Sequence, residues 1–165
     1  MSTIPEIKTI LYATDMGRHM RPVFRQAIGL AQNYKAQIIM LHVLEPLGST
    51  GEAVLSTYLP GKKIEKLENE GMKKVLKKMK ERLQAFCHDE MQLCEEKSSM
   101  VKEILVTTGH PADRIPQEAE KHDADIIVIG SCSKGFIRSG LLGSTVRHVT
   151  QVSHLPVMVV PNCNR

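Results

Sequence analysis

Two glycine-containing segments in the second half of the chain have the residue types needed to hold an anion. Gly130 ends an apolar run that predicts a strand, and Gly143-Ser144-Thr145 opens a stretch that predicts a helix. A strand-end glycine lets backbone N–H groups approach a ligand closely, and a helix N-terminus presents N–H groups at the positive end of its dipole. Both features suit a phosphate chain, although Gly-Ser-Thr is also an ordinary helix N-cap. Neither G-x-x-x-x-G-K-[ST] nor G-x-G-x-x-G after the first strand is present.

The elements around these glycines predict an open α/β sheet. Short apolar runs alternate with helical patterns, and right-handed crossovers between such strands place helices on both faces of a largely parallel sheet. Ligands bind such sheets beyond the carboxyl ends of the strands, where the strand order reverses. We predict strands over 8–14, 37–44, 101–107, 124–129 and 157–160, and helices over 22–34, 62–90, 111–121 and 144–153.

Residues 1–165 are expected to form a single domain with two unusual segments. Residues 46–61 contain several Gly and Pro residues and predict a long irregular loop, with one helical turn over 52–58. The helix over 62–90 carries nine Lys or Arg. A solvated basic face explains this charge better than a polyanion site. Its apolar stripe is expected to consist of Ile64, Leu67, Met72, Val75, Leu76, Met79, Leu83 and Phe86.

The composition argues against several classes of protein. The 165 residues include three Phe, three Tyr and no Trp, so the chain lacks the stacking platforms of single-strand nucleic-acid binders despite its net charge of +4. No apolar run approaches the ~20 residues that span a bilayer, and no leader is evident. We therefore expect a soluble, cytoplasmic protein with no nucleic-acid or membrane partner. Four scattered cysteines without a C-x-x-C pair predict reduced thiols and no structural metal.

Seven segments, distributed in order over nearly the whole chain, resemble the universal stress protein family. They are ILYATD (10–15), HV (42–43), GHPADRI (109–115), ADIIVIGS (124–131), LLGS (141–144), VRHV (146–149) and SHLPVMVVP (153–161). The resemblance implies a five-stranded parallel sheet of order 3-2-1-4-5, with helices on both faces, of the adenine nucleotide alpha hydrolase-like type. It also implies a homodimer paired through the last strand, Val157, Met158, Val159 and Val160.

The resemblance further implies an ATP signature of Gly, two residues, Gly, nine residues, then Gly followed by Ser or Thr. Gly130 matches the first position and Gly143-Ser144 match the last, while Ser133 replaces the second glycine. Serine keeps a backbone N–H and adds a hydroxyl, but it does not adopt a positive φ cheaply. The departure weakens the expectation of ATP binding without removing it.

Carried over position by position, the family's nucleotide contacts fall on residues from both halves of the chain. Ala13 and Asp15 correspond to contacts with adenosine, its ribose or a Mg²⁺ ion bound with ATP, and Val43 to a backbone contact with adenine. An alternative for Asp15 is a turn residue that caps its own loop. The chain reads Asp15-Met-Gly-Arg-His19 where relatives often have Asp-Gly-Ser. The ribose and phosphates would be lined by Gly130, Ser131, Ser133, Lys134, Gly143, Ser144 and Thr145.

By resemblance, the function is that of an ATP-binding regulatory module in the stress response, with AMP or ADP as possible substitutes and an unidentified protein partner. Two alternatives stay open. One is a member that has lost nucleotide binding and acts through protein contacts, and the other is a slow ATPase. Phosphoryl transfer needs a residue that orients the attacking group. Beyond Asp15 the sequence offers no such acid, so we expect no catalytic residue and at most weak hydrolysis.

Overall fold

The computed structural model describes residues 4–46, 48, 63–92, 100–132 and 142–162. Within these ranges the chain forms five parallel strands in the order β3-β2-β1-β4-β5 together with four α-helices. The predicted fold class and strand order are therefore confirmed. Most of the predicted loop over 46–61 lies outside the described residues. The elements are β1 (Thr9–Ala13), α1 (Arg21–Tyr34), β2 (Gln37–Leu44), α2 (Lys63–Met91), β3 (Val101–Thr108), α3 (Pro111–Lys121), β4 (Ile126–Gly130), α4 (Ser144–Val152) and β5 (Val157–Val160).

The sheet is covered on both faces, which explains why its central strands are apolar throughout. Side chains alternate along β1, so Ile10 and Tyr12 face one layer while Leu11 and Ala13 face the other. The first layer contains α1 and α2, with Phe24 and Leu83 against the sheet. The second layer is formed by α3 and α4.

The strand β4 begins two residues later than the sequence pattern predicts. The carboxylate of Asp125 accepts hydrogen bonds from the backbone N–H groups of Lys8 and Thr9, at 2.7 and 2.8 Å. The backbone N–H of Asp125 also donates a 2.8 Å hydrogen bond to the carbonyl of Thr9, so Asp125 is joined to the start of β1 by both its side chain and its backbone. The strand ladder itself begins with Ile10 beside Ile126.

The long helix α2 packs against α1 through a buried carboxylate. Glu90 is 3% exposed, and its two oxygens lie 3.2 and 3.1 Å from the Nε atoms of Arg21 and Arg25. The lysines over 73–80 are exposed, as the prediction of a solvated face requires. Val75 departs from the predicted apolar stripe, because its position on the helix turns it to solvent with 41% exposure.

Candidate functional site

A cavity of about 650 Å³ lies at the carboxyl edge of the sheet, where the connections from β1 and β4 lead to opposite sides. This is the topological switch point at which open α/β sheets bind ligands, and the volume lies within the usual range of ligand sites. Six predicted residues line it: Ala13, Asp15, Val43, Gly130, Gly143 and Thr145. Ser131 and Ser144 lie beside the cavity and do not line it. Ser133 and Lys134 lie outside the described residues.

The two glycine segments of the sequence motif meet in space. The backbone N–H of Gly143 donates a 3.0 Å hydrogen bond to the carbonyl of Ser131, directly after β4. Gly143 is the N-cap residue of α4, and among the described residues no side chain caps this helix end. The N-terminus of α4 therefore presents its N–H groups and the positive end of its dipole to the cavity.

Asn162, which was not among the predicted site residues, supports the loop that follows β4. Its Oδ1 accepts the N–H of Cys132 at 2.9 Å, and its Nδ2 donates to the Cys132 carbonyl at 3.1 Å. A Cβ on Gly130 would lie 2.5 Å from Nδ2 of Asn162, so this close approach requires glycine. The one sequence feature that could have identified Asn162 is its place as a polar residue directly after Pro161, just beyond the last apolar strand.

The loop after β1 is organised by Asp15. Oδ1 of this carboxylate accepts the N–H of Gly17 at 2.9 Å, and Oδ2 lies 2.9 Å from Nε2 of His19. Met16, between them, has a φ of 66°, in the left-handed region. Asp15 thus caps its own turn while also lining the cavity, so the two roles that the sequence left open are compatible.

The floor beneath this loop is buried and hydrogen-bonded. Nδ1 of His42, near the end of β2, lies 2.8 Å from the carbonyl oxygen of Thr14, which joins the ends of β2 and β1. The hydroxyl of Tyr12 donates to the carbonyl of Met20 at 3.3 Å. Burial raises the pKa of Tyr12 well above its usual range, so the phenol stays neutral and keeps its proton for this bond.

The cysteines behave differently from the prediction of reduced thiols. Cys132, which lines the cavity, is disulfide-bonded, so the prediction is wrong there. Sequence spacing gave no indication of which cysteines come together in space. Cys87 is a free thiol, and burial raises its pKa. In the described ranges, no group of three or more His, Cys, Asp or Glu side chains is placed to hold a metal ion. The described helices include none that is long and apolar enough to cross a membrane.

The architecture defines a doubly wound α/β protein with a cavity at its switch point. Residues 6–161 match the model of the universal stress protein family. The chain belongs to that family, as the sequence motifs predicted.

Individual relatives support the same assignment. The chain is 29% identical over 161 residues to universal stress protein MJ0577 of Methanocaldococcus jannaschii, covering 95% of this chain and 96% of that protein. It is 28% identical over 135 residues to YxiE of Bacillus subtilis, covering 81% and 85% of the two chains.

Solved structures show the same fold. The structure of MJ0577 superposes with a TM-score of 0.68 at 27% identity, covering 98% of this chain and all of that one. A universal stress protein in complex with cAMP gives a TM-score of 0.56 at 20% identity, covering 96% and 99% of the two chains. The Archaeoglobus fulgidus protein in complex with dAMP gives 0.52 at 22% identity, covering 92% and 96%.

Proposed function

We propose that this protein is a regulatory module of the stress response that binds ATP at the carboxyl edge of its sheet. The observation that carries the proposal is the N-terminus of α4, which has no side-chain cap among the described residues, opens into the cavity and is hydrogen-bonded to the end of β4 through Gly143 and Ser131. Such a helix end is a ready site for a phosphate group. The same fold holds cAMP and dAMP in two neighbours of known structure.

The chemistry of the cavity suits the three parts of the nucleotide. Thr145 lies in the first turn of α4, whose backbone N–H groups would receive the phosphates, and Gly143 lines the cavity at the start of that turn. Val43 is buried at the end of β2, where its backbone would contact adenine and aliphatic side chains would cover the ring. Asp15 lies on the β1 side, with a carboxylate suited to ribose hydroxyls. Gly130 lines the cavity at the end of β4 and would contact the ribose or the phosphates. Ser131, Ser133, Lys134 and Ser144 complete the proposed binding set.

Charge in the cavity favours ATP accompanied by Mg²⁺. The charged side chains among the described lining residues are Asp15, Glu45 and Arg82. A triphosphate beside two carboxylates needs a counter-charge, which Mg²⁺ supplies when it arrives with the nucleotide. As the alternative to its contact with ribose, Asp15 would be the protein ligand of this ion, because Mg²⁺ bound with nucleotides takes few protein carboxylates and several phosphate oxygens. AMP or ADP would use the same base and ribose contacts with fewer phosphate contacts.

Calorimetric titration with Mg-ATP tests the proposal, and Gly143→Asp is the decisive variant. Aspartate is a favoured N-cap residue, and Gly143 has a φ of −58°, which other residues adopt readily. The new carboxylate would cap α4 and repel the phosphates, so we expect binding to be lost while thermal stability is kept.

Gln151→Glu is the matched control, because it adds the same charge to an exposed position of α4 away from the cavity. This variant should bind as the wild type does. Absence of heat and of any thermal shift with millimolar ATP in the wild type would refute nucleotide binding and favour a member that acts through protein contacts alone. Phosphate release well above background would favour the slow ATPase.

A homodimer through β5 is part of the proposal. Among the described strands, β5 lies at one edge of the sheet and pairs with β4 alone. Val157, Met158 and Val159 are only partly buried. Pairing with a second copy would protect this edge. Light scattering coupled to gel filtration should give twice the monomer mass, and a monomer at all concentrations would refute it. We further propose that a cytoplasmic protein partner senses nucleotide occupancy.

A further inference from the structure

We propose that His19 is a positioning residue for the nucleotide site: it holds the Asp15 carboxylate toward the ribose and thereby lets the protein prefer ribonucleotides to 2′-deoxyribonucleotides. The inference rests on the proposed function, because it assigns a role to a residue beside the same cavity. It concerns the turn after β1, Asp15-Met16-Gly17-Arg18-His19.

Both oxygens of the Asp15 carboxylate have partners within one turn of chain. Gly17 donates its N–H to Oδ1, and Nε2 of His19 lies at the same 2.9 Å distance from Oδ2. The side chains of Asp15 and His19 are 20% and 19% exposed, respectively. Two contacts from opposite oxygens fix the plane of the carboxylate, which a single contact would leave able to rotate.

The imidazole packs directly on Gly17. A Cβ at position 17 would lie 2.1 Å from Cε1 and 2.6 Å from Nδ1 of His19. These distances are far inside van der Waals contact, so the ring occupies its place only because position 17 carries no side chain. Gly17 therefore supports the pair of Asp15 and His19 in two ways: its N–H bonds the carboxylate, and its lack of a Cβ leaves room for the imidazole.

A carboxylate with a fixed orientation at the cavity wall is suited to accept hydrogen bonds from sugar hydroxyls. Asp15 lines the cavity at the end of β1, and a carboxylate accepts strong, charge-assisted hydrogen bonds from hydroxyl groups. Holding the acceptor in place before binding removes the entropy cost of ordering it in the complex. His19 does not line the cavity itself, so it acts through Asp15.

The test compares the affinities for ATP and 2′-deoxy-ATP, each with Mg²⁺, by calorimetry. We expect the wild type to prefer ATP by about tenfold, the effect of one hydrogen bond to a charged group. His19→Ala should reduce this preference to less than about threefold, and His19→Gln, which retains an N–H donor, should restore part of it. Gly17→Ala should act like His19→Ala, because the new methyl group expels the ring.

Matched variants distinguish a role of His19 in positioning Asp15 from a role in the stability of the fold. Asp15→Asn should abolish the preference, and adding His19→Ala to it should change nothing more, since the two residues act as one unit. His154→Ala, which removes an exposed histidine before β5, should leave the preference intact. Thermal melts show which variants are folded, and Gly17→Ala and His19→Gln keep the test available if His19→Ala unfolds.

The possible outcomes distinguish this inference from the proposed function. A wild type that binds neither nucleotide refutes both. A wild type that binds ATP and 2′-deoxy-ATP equally refutes the inference alone. Folded His19→Ala protein that keeps the wild-type preference, or that loses affinity for the two nucleotides equally, also overturns it, because His19 would then serve only the stability of the loop.

Discussion

Replacing Gly130 by alanine tests the packing beneath the site. A Cβ there would lie 2.5, 2.8 and 3.0 Å from the amide atoms of Asn162, which is 7% exposed. That amide bonds the N–H and the carbonyl of Cys132 and the hydroxyl of Ser131, and it donates to Sδ of Met20 at 3.4 Å. The new methyl group cannot be accommodated unless the amide gives way.

The size of the destabilisation follows from the hydrogen-bonding groups that would lose Asn162 as their partner. Cys132 is 4% exposed, so its N–H and carbonyl would lose a partner in a buried setting. Each buried polar group left unsatisfied costs about 1–3 kcal/mol, which puts the loss in unfolding free energy at about 2–6 kcal/mol. In a chain of this size each kcal/mol corresponds to roughly 2–4 °C in Tm, so we expect a fall of at least about 5 °C.

Urea unfolding followed by far-UV circular dichroism measures the effect, since the chain has no Trp to report by fluorescence. Gly29→Ala is the matched control. This glycine lies within α1 with nothing within 4 Å of its would-be Cβ, so alanine should stabilise by about 0.5–1 kcal/mol.

A second variant isolates the steric cause. Asn162→Ala removes the amide, so adding Gly130→Ala to it should cost less than about 1 kcal/mol, far below the cost of Gly130→Ala alone. A Gly130→Ala protein within about 0.5 kcal/mol of the wild type, or two substitutions whose costs simply add, would refute this account of the glycine.

Other substitutions and modifications test the packing of the helices. Glu90→Gln should lower the unfolding free energy by about 1–3 kcal/mol, because the buried carboxylate loses its charged bonds to Arg21 and Arg25; an unchanged urea midpoint would contradict this. Lys35→Gly should raise stability by about 0.5–1 kcal/mol, because Lys35 ends α1 with a φ of 54°, and a lower midpoint would refute it. Cys87, whose pKa is raised by burial, should alkylate with iodoacetamide more slowly at pH 8 than free glutathione, measured by peptide mass mapping; equal or faster modification would show an exposed thiolate.

The elements were predictable because their patterns are local. Strands covered on both faces are continuously apolar, and β1, β2 and β5 lie within or close to the predicted ranges. Two details were predicted wrongly, the start of β4 and the burial of Val75, and both depend on tertiary contacts. The side chain of Asp125 bonds the N–H groups of Lys8 and Thr9 just before the ladder between β1 and β4 begins, and Val75 lies in solvent on the outer side of α2.

The candidate site was only partly predictable. The motif identified residues of the cavity wall, including Gly130, Gly143 and Asp15. It did not identify the residues that hold them, because their partners are distant along the chain or depend on the exact shape of a turn. Asn162 reaches Cys132 across 30 residues and Met20 across 142. The pairing of His19 with Asp15 depends on a left-handed Met16 and an unobstructed Gly17.

The sequence by itself determined the alternating strands and helices of an open α/β sheet, because apolar periodicity and glycine punctuation specify elements and parallel crossovers have one hand. Its motifs, through their resemblance to the universal stress protein family, implied the strand order and the segments that approach the cavity. Only the tertiary structure decided why Gly130 is a glycine, where the Asp15 carboxylate is anchored and how the two halves of the motif join. These features depend on contact distances between atoms far apart in the chain, where a difference of a few tenths of an ångström matters. The spacing of residues in the sequence carries no information about such distances.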